Sequence, residues 1–212
     1  MIYQVENIIQ DVQVALNNNR QDIPLVNDGD LDTLEVLDTI QSKIEEAART
    51  VTAIAPAYML ERGHSLDESA IYWNEDCSGT LLLPKDFLRL IVFKMSDWDK
   101  AVYTPITPED ERYRLQHSGY KGLRGTPSRP VCALGMNANG RTLEFFSCKT
   151  TDAVIEDGVY SPIPRIDDIG GIDISEDIYT AVIYQIAYSV AATFGDANGM
   201  KIFGEKVKEV LV

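Results

Sequence analysis

The chain has 212 residues, 45% hydrophobic and 25% charged, a composition that supports a real core and excludes disordered, collagen-like and low-complexity classes. That length fits a single domain over 1–212, at most with a sizeable insertion, and two independent cores are not expected. Its net charge of -14, from 33 Asp plus Glu against 19 Lys plus Arg, argues against general nucleic-acid binding through a basic surface.

In chain order, Ile2, Val5, Ile8, Ile9, Val12 and Leu16 recur at spacings of three and four, which predicts an amphipathic helix over 2–16 ended by Asn17-Asn18-Asn19. Leu34, Leu37, Ile40, Ile44, Ala47, Ala48, Val51 and Ile54 repeat the pattern in a longer helix. Asp30 or Asp32 is placed to cap it, and Pro56 closes it by disfavouring helical geometry at Ala55. From about residue 70 the period moves towards two and β-branched and aromatic residues accumulate, the pattern of strands. A short hairpin is expected over Ala70–Trp73 and Gly79–Leu83, a longer strand region over Phe87–Trp98, a second hairpin over Val131–Met136 and Arg141–Ser147, and one more strand over Ala153–Tyr160. The turn Asn137-Ala138-Asn139-Gly140 contains the Asn-Gly pair that favours left-handed conformations in tight hairpins. Ile178, Val182, Ile186, Val190 and Phe194 then return to strict i, i+4 spacing, with Ser175 as N-cap and Gly195 as stop, and a last helix falls within Ala197–Leu211. Helices at both chain ends flank a β segment without βαβ alternation. The predicted fold is therefore α+β: a helical bundle from 1–62 and 172–212 with an inserted antiparallel β subdomain at 68–162.

Charge is unevenly spread. Residues 1–84 carry 15 acids and 4 bases, 85–143 carry 6 and 10, and 144–212 carry 12 and 5, giving nets of -11, +4 and -7. From Arg112 to Leu143 there are six bases, Arg112, Arg114, Lys121, Arg124, Arg129 and Arg141, and no acid. Most lie in a long excursion at 104–130 that holds at most a short helix near Pro108-Glu109-Asp110-Glu111. Long loops inside compact domains are usually functional or mobile. The basic island reads either as a solvated loop or as an interface that meets the acidic flank of a neighbouring copy head to tail; Arg112, Arg114, Lys121, Arg124 and Arg129 are its candidate contact residues. Arginines lining a pore formed in that way could also meet DNA phosphates.

Catalytic and metal-binding patterns are weak. His64 and His117 have no second His or Cys at ligand spacing. Asp28, Asp30 and Asp32 alternate as calcium loops do, but position six lacks its glycine and position twelve is Thr39. No metal site, cofactor site or catalytic residue is assigned, since no phosphate-cradling glycine motif or nucleophile elbow is present. Cys77, Cys132 and Cys148 form no CxxC pair and suit a reducing compartment as small buried or half-buried residues. Cys77 follows Glu75 and Asp76, whose like charge disfavours its thiolate. Tyr179, Tyr184 and Tyr188 read as a core or interface edge. Apolar runs such as Leu81–Leu83 and Leu90–Phe93 fall far below the ~18–20 residues of a membrane span, and the opening residues lack the pattern of a secretory leader.

One stretch is less anonymous. Gly79-Thr80-Leu81-Leu82-Leu83-Pro84-Lys85-Asp86-Phe87-Leu88-Arg89-Leu90, followed by Trp98, resembles the "LPxDFLRL...W" stretch of head-to-tail adaptor (connector) proteins of tailed bacteriophages, particularly short-tailed ones. The element order from 31 to 200 is similar too, while the helix at 2–16 and the length of the basic insert depart from the family pattern. In local terms Pro84 ends a strand, Asp86 is placed to make backbone bonds in the turn, and Phe87, Leu88, Leu90 and Val92 start the next strand and anchor the β part against the helices. The resemblance implies a structural virion protein without enzymatic activity or cofactor. It implies a ring of twelve copies beneath the portal protein, joined to a tail or neck protein, present in the host cytoplasm before assembly, with helices side by side around the channel and the β part and C-terminal tail on neighbours. The alternatives are a small-molecule enzyme with a carboxylate-based site and a host-encoded binding or scaffold module.

Overall fold

The structure is a computed structural model and describes residues 1–18, 31–60, 63–118 and 120–212. The fold is α+β with antiparallel sheets. Helices α1 (Val5–Asn18), α2 (Leu31–Ile54), α4 (Glu176–Thr193) and α5 (Ala197–Val210), with strands β1 (Ile2–Gln4) and β9 (Gly171–Asp173), belong to one compact unit, Met1–Glu61 plus Ile163–Val212. The other unit, Arg62–Pro162, holds β2 (His64–Ser65), β3 (Ile71–Trp73), β4 (Gly79–Leu82), β5 (Phe87–Met95), α3 (Glu111–Gln116), β6 (Cys132–Asn137), β7 (Gly140–Phe145) and β8 (Ile155–Pro162).

Length suggested one core, yet the apolar side chains gather in two main clusters and a small third one. The helical cluster takes Ile8 and Val12 from α1, Val36, Ile40, Ile44 and Val51 from α2, Ile178, Val182 and Ile186 from α4 and Phe203 from α5. Burying each such side chain contributes about 1.5–3 kcal/mol. α4 touches α1, α2 and α5, so it buries Ala181, Ile183, Ala187 and Ala191 besides the expected stripe. A strict four-residue spacing drifts about 40° per step around a 3.6-residue helix, and the stripe accordingly ends with Phe194 at the C-cap, 42% exposed. Ser175 holds the N-cap position, but its hydroxyl donates to the Met59 carbonyl at 2.8 Å and makes no capping bond. At the other end of the chain, Ile2 is exposed because residues 2–4 form a strand paired with β9, and the helix begins at Val5. In α2 the side chains are described from Glu35 onward; Val36 is buried, Leu37 half-buried and Ile54 exposed. Asp32 is the second residue of α2, inside the helix and not before it as a cap, and its side chain, together with Asp28 and Asp30, falls outside the described residues.

The β unit contains two sheets, ordered β2-β8-β5 and β3-β4-β7-β6. They share one core: Phe87, Leu90, Phe93 and Tyr160 from the first, Leu81, Cys132, Leu143 and Phe145 from the second, with Leu66 and Trp98. Two sheets that bury a face in common supply a core of their own, and that explains the second cluster. β5 is the informative strand. Against β8 its register shifts between Phe87 and Arg89, Leu90 and Val92, and Lys94 and Met95. Each extra residue turns the following side chains to the opposite face. The buried positions are therefore Phe87, Leu90, Phe93 and Met95, with Leu88 and Val92 only half-buried. The β6–β7 turn pairs Asn137 with Gly140, and the Asn137 carboxamide oxygen accepts from Asn139 N at 2.8 Å. Gly140 alone in this turn takes a positive φ, +134°, so the left-handed freedom expected of Asn-Gly is used by the glycine and not by Asn139. Gly79 is required for another reason: a Cβ there would overlap the Phe145 ring.

Candidate interaction surface

The excursion at 104–130 is built onto the second sheet. Ile106 bridges Ala133 of β6 in parallel, and Ile106, Ala133 and Phe146 form the small third core with Tyr113 packed against it. The helix expected near residues 108–111 lies slightly later, as α3, because Asp110 is its cap: one carboxylate oxygen accepts from Arg112 N at 2.9 Å. The same carboxylate receives the Arg112 guanidinium in a two-point contact, Nε at 3.0 Å and Nη2 at 2.6 Å. That contact holds the Asp110 carboxyl down to about 2.

Three further contacts fix the excursion. Buried Gln116 donates to the Arg112 carbonyl and accepts from Gly125 N at 2.7 Å, tying α3 to the returning chain. The Tyr113 hydroxyl donates to Glu144 of β7 at 2.8 Å, and burial with that carboxylate pushes its phenol up to about 12. The Arg124 guanidinium donates to Asp76, in the β3–β4 turn, at 2.6 Å. Arg124 has only 14% of its side chain exposed, so of the five candidate contact residues it is part of the fold. Arg112 is exposed but neutralised by Asp110. Lys121 opens a short 3-10 turn, Lys121–Leu123, and its side chain lies outside the described residues. Arg114 and Arg129 are exposed. Around Arg114 the chain also exposes Leu115, Tyr120 and Leu123, the last two by 78% and 52%. Sequence reasoning passed over these apolar residues; the available signal was large side chains inside a polar, glycine-rich stretch.

Beneath the excursion is a polar pocket of about 460 Å³ lined by Asp76, Ser78, Thr80, His117, Glu144 and Phe146, among others. The Ser78 hydroxyl, aided by the Ser78 N–H and by Arg124, holds the Asp76 carboxyl below its ordinary value. A carboxylate kept ionised in this way is a fixed anion, unlike the raised acid that general-acid chemistry needs. Among the described residues no three His, Cys, Asp or Glu side chains converge as a metal site. Burial pushes the Cys132 thiol well up, and burial together with Asp97 moves Cys148 up to about 12, which leaves both as packing residues. Among the described residues no helix is long and apolar enough to cross a membrane.

The motif residues have structural roles. Leu83 is buried, and its N–H donates to the Arg141 carbonyl at 2.9 Å. Phe87 N donates to the Pro84 carbonyl across the turn, and the Arg141 guanidinium donates to the Phe87 carbonyl at 3.0 Å. Asp86 makes a long-range contact where a local one was expected. Its carboxylate accepts from the Tyr160 hydroxyl at 3.0 Å, with His64 Nδ1 3.4 Å away. Arg89 is half-buried, and burial lowers its pKa. Trp98 is buried edge-on to Phe93 and Phe145 at centroid distances of 5.7 and 6.3 Å. Phe87, Leu90 and Trp98 thus join the β unit's own core.

Compared with known proteins, the chain matches no family model and no curated protein.

Proposed function

We propose that the chain is a structural virion protein: a head-to-tail adaptor that joins the portal protein to a tail or neck protein of a tailed phage or prophage, as an oligomeric ring. The reading begins from the resemblance at Leu83-Pro84-Lys85-Asp86-Phe87-Leu88-Arg89 and Trp98, of which Leu83, Phe87 and Trp98 lie in the core of the β unit. The observation that carries it is charge segregation between the two units. Met1–Glu61 with Ile163–Val212 has 19 acids and 7 bases, a net of -12, whereas Arg62–Pro162 has 14 and 12, a net of -2. The second unit presents Arg114 and Arg129 from a pinned excursion together with exposed apolar side chains. A surface with these properties suits another protein surface better than solvent.

In this reading the helices from both chain ends form a bundle that stands side by side with its copies around the channel, twelve in number by the resemblance. Packaged DNA makes at most a passing contact, because a net charge of -14 opposes a general affinity for phosphate. The protein resides in the virion and, before assembly, in the host cytoplasm. The test is to add the purified protein to purified rings of the portal encoded beside it and to image the mixture. A new ring layer on the tail-facing side of the portal supports adaptor function. Bare portals at saturating protein would refute it.

A further inference from the structure

The geometry points to a specific contact between copies: α3 (Glu111–Gln116) and the 3-10 turn (Lys121–Leu123) of one copy dock in a groove between α1, α4 and α5 of a second copy. This inference rests on the ring reading and names the surfaces that would form it. The groove has a volume of about 380 Å³. Its floor includes Ala15 and Ile183, and Val14 of α1 stands at its edge, 56% exposed although large and apolar. Asp11 also lines the groove. Its carboxylate accepts from the Tyr179 hydroxyl at 2.6 Å, and α4, which carries Thr180 and Tyr184 along the groove, has exposed Glu176 and Asp177 in its first turn. Lys206 sits 4.9 Å over the Tyr184 ring. The groove therefore offers an apolar centre and an acid, Asp11, in its lining, with Glu176 and Asp177 on the preceding turn of α4.

The two docking elements, with Tyr120, have the converse features. Leu115, Tyr120 and Leu123 project apolar surface into solvent, and Arg114 is an exposed cation beside Leu115 on α3. Covering Leu115 or Tyr120 with Val14 removes apolar surface of both copies from water. Placing Arg114 near Asp11 and Glu176 sets opposite charges together, which fixes register and orientation. The two elements are held to their own sheet by Gln116, Tyr113 and Arg124, so they are ordered before they dock and lose little conformational freedom on binding. The two surfaces differ, so the contact is head to tail and closes into a ring when the rotation per copy allows.

The test is photo-crosslinking between isotopically distinct copies. Benzoylphenylalanine is placed at position 14 in nitrogen-15-labelled protein, which is mixed with unlabelled protein at high concentration, with and without portal rings, and irradiated. Mixed-isotope crosslinks to residues 111–123 are expected, and Arg114→Glu in the unlabelled copy should cut their yield roughly ten-fold, as charge reversal at a steered contact does. Association with crosslinks elsewhere, including to the same helices of the second copy, overturns this contact and leaves the ring standing. Absence of association under both conditions overturns the contact and the ring together. Circular dichroism of the Arg114→Glu protein verifies that it is folded, and Tyr120→Ala, which carries no charge change, should also lower the yield.

Discussion

Arg124 and Asp76 meet at 2.6 Å across 48 residues of sequence, with the guanidinium largely buried and the carboxylate half in solvent. The pair joins the tip of the basic excursion to the β3–β4 turn, so one of the arginines in the basic island works within its own unit. Replacing it removes a contact of the fold and leaves Asp76 with a buried edge and no cation.

Arg124→Glu should therefore lower stability by about 1–2 kcal/mol, between the values for exposed and buried pairs. Arg129→Glu, at an exposed position, should stay within about 0.5 kcal/mol of the parent. Urea midpoints of the two variants check this. Equal midpoints would mean that the Arg124 contact contributes nothing in solution.

The bulged register of β5 predicts an inequality between neighbouring leucines. Leu90→Ala should cost about 2–5 kcal/mol as a fully buried truncation, and Leu88→Ala clearly less. A strand of regular period two would put both on one face and make the costs similar. Thermal melts of the pair decide between the two.

Gly79→Ala places a Cβ where the Phe145 ring lies. Overpacking of that kind costs about 1–3 kcal/mol. Gly122→Ala, where a Cβ meets open space, serves as the control and should change stability little.

Two hydroxyls give a pH signature. The phenols of Tyr113 and Tyr160 are pushed up to about 12, each first by burial and then by an accepting carboxylate, Glu144 and Asp86. A folded-state pKa above the unfolded value of about 10 gives stability that is full below pH 10 and is lost as pH rises through 12. At the acid end the sign is opposite. The Asp110 carboxyl, at about 2 because of Arg112, keeps its contribution above the unfolded value of about 4 and loses it as pH falls towards 2. Tyrosine absorbance and the Asp110 carboxyl NMR shift should follow these midpoints in the native protein.

Periodicity reports local geometry, and it located the elements to the extent that local geometry decided them. α2 and α4 were legible because their stripes extend over many turns, and β6 and β7 because a glycine turn separates two alternating runs. Ile2 misled because a three-residue strand can occupy the first apolar positions of a helical pattern, and the edge pairing with β9 that selects the strand is 170 residues away. Leu88 misled because bulges are set by the partner strand. The basic excursion was visible as composition, but the division of its cations into fold residues and surface residues was not. Asp76 and Asp110 decide it, one remote in sequence and one adjacent to the island. The exposed Leu115, Tyr120 and Leu123 carried a signal in the sequence, as several bulky apolar residues within one polar, glycine-rich stretch.

The proposed adaptor role requires this chain to fit other protein surfaces of a phage vertex, and mass measurement of its mixture with portal rings tests that most directly. Native mass spectrometry of the mixture should show a gain of one chain per portal subunit, lost at high salt and weakened by Arg114→Glu. Portal rings that gain no mass at any protein concentration would contradict the account.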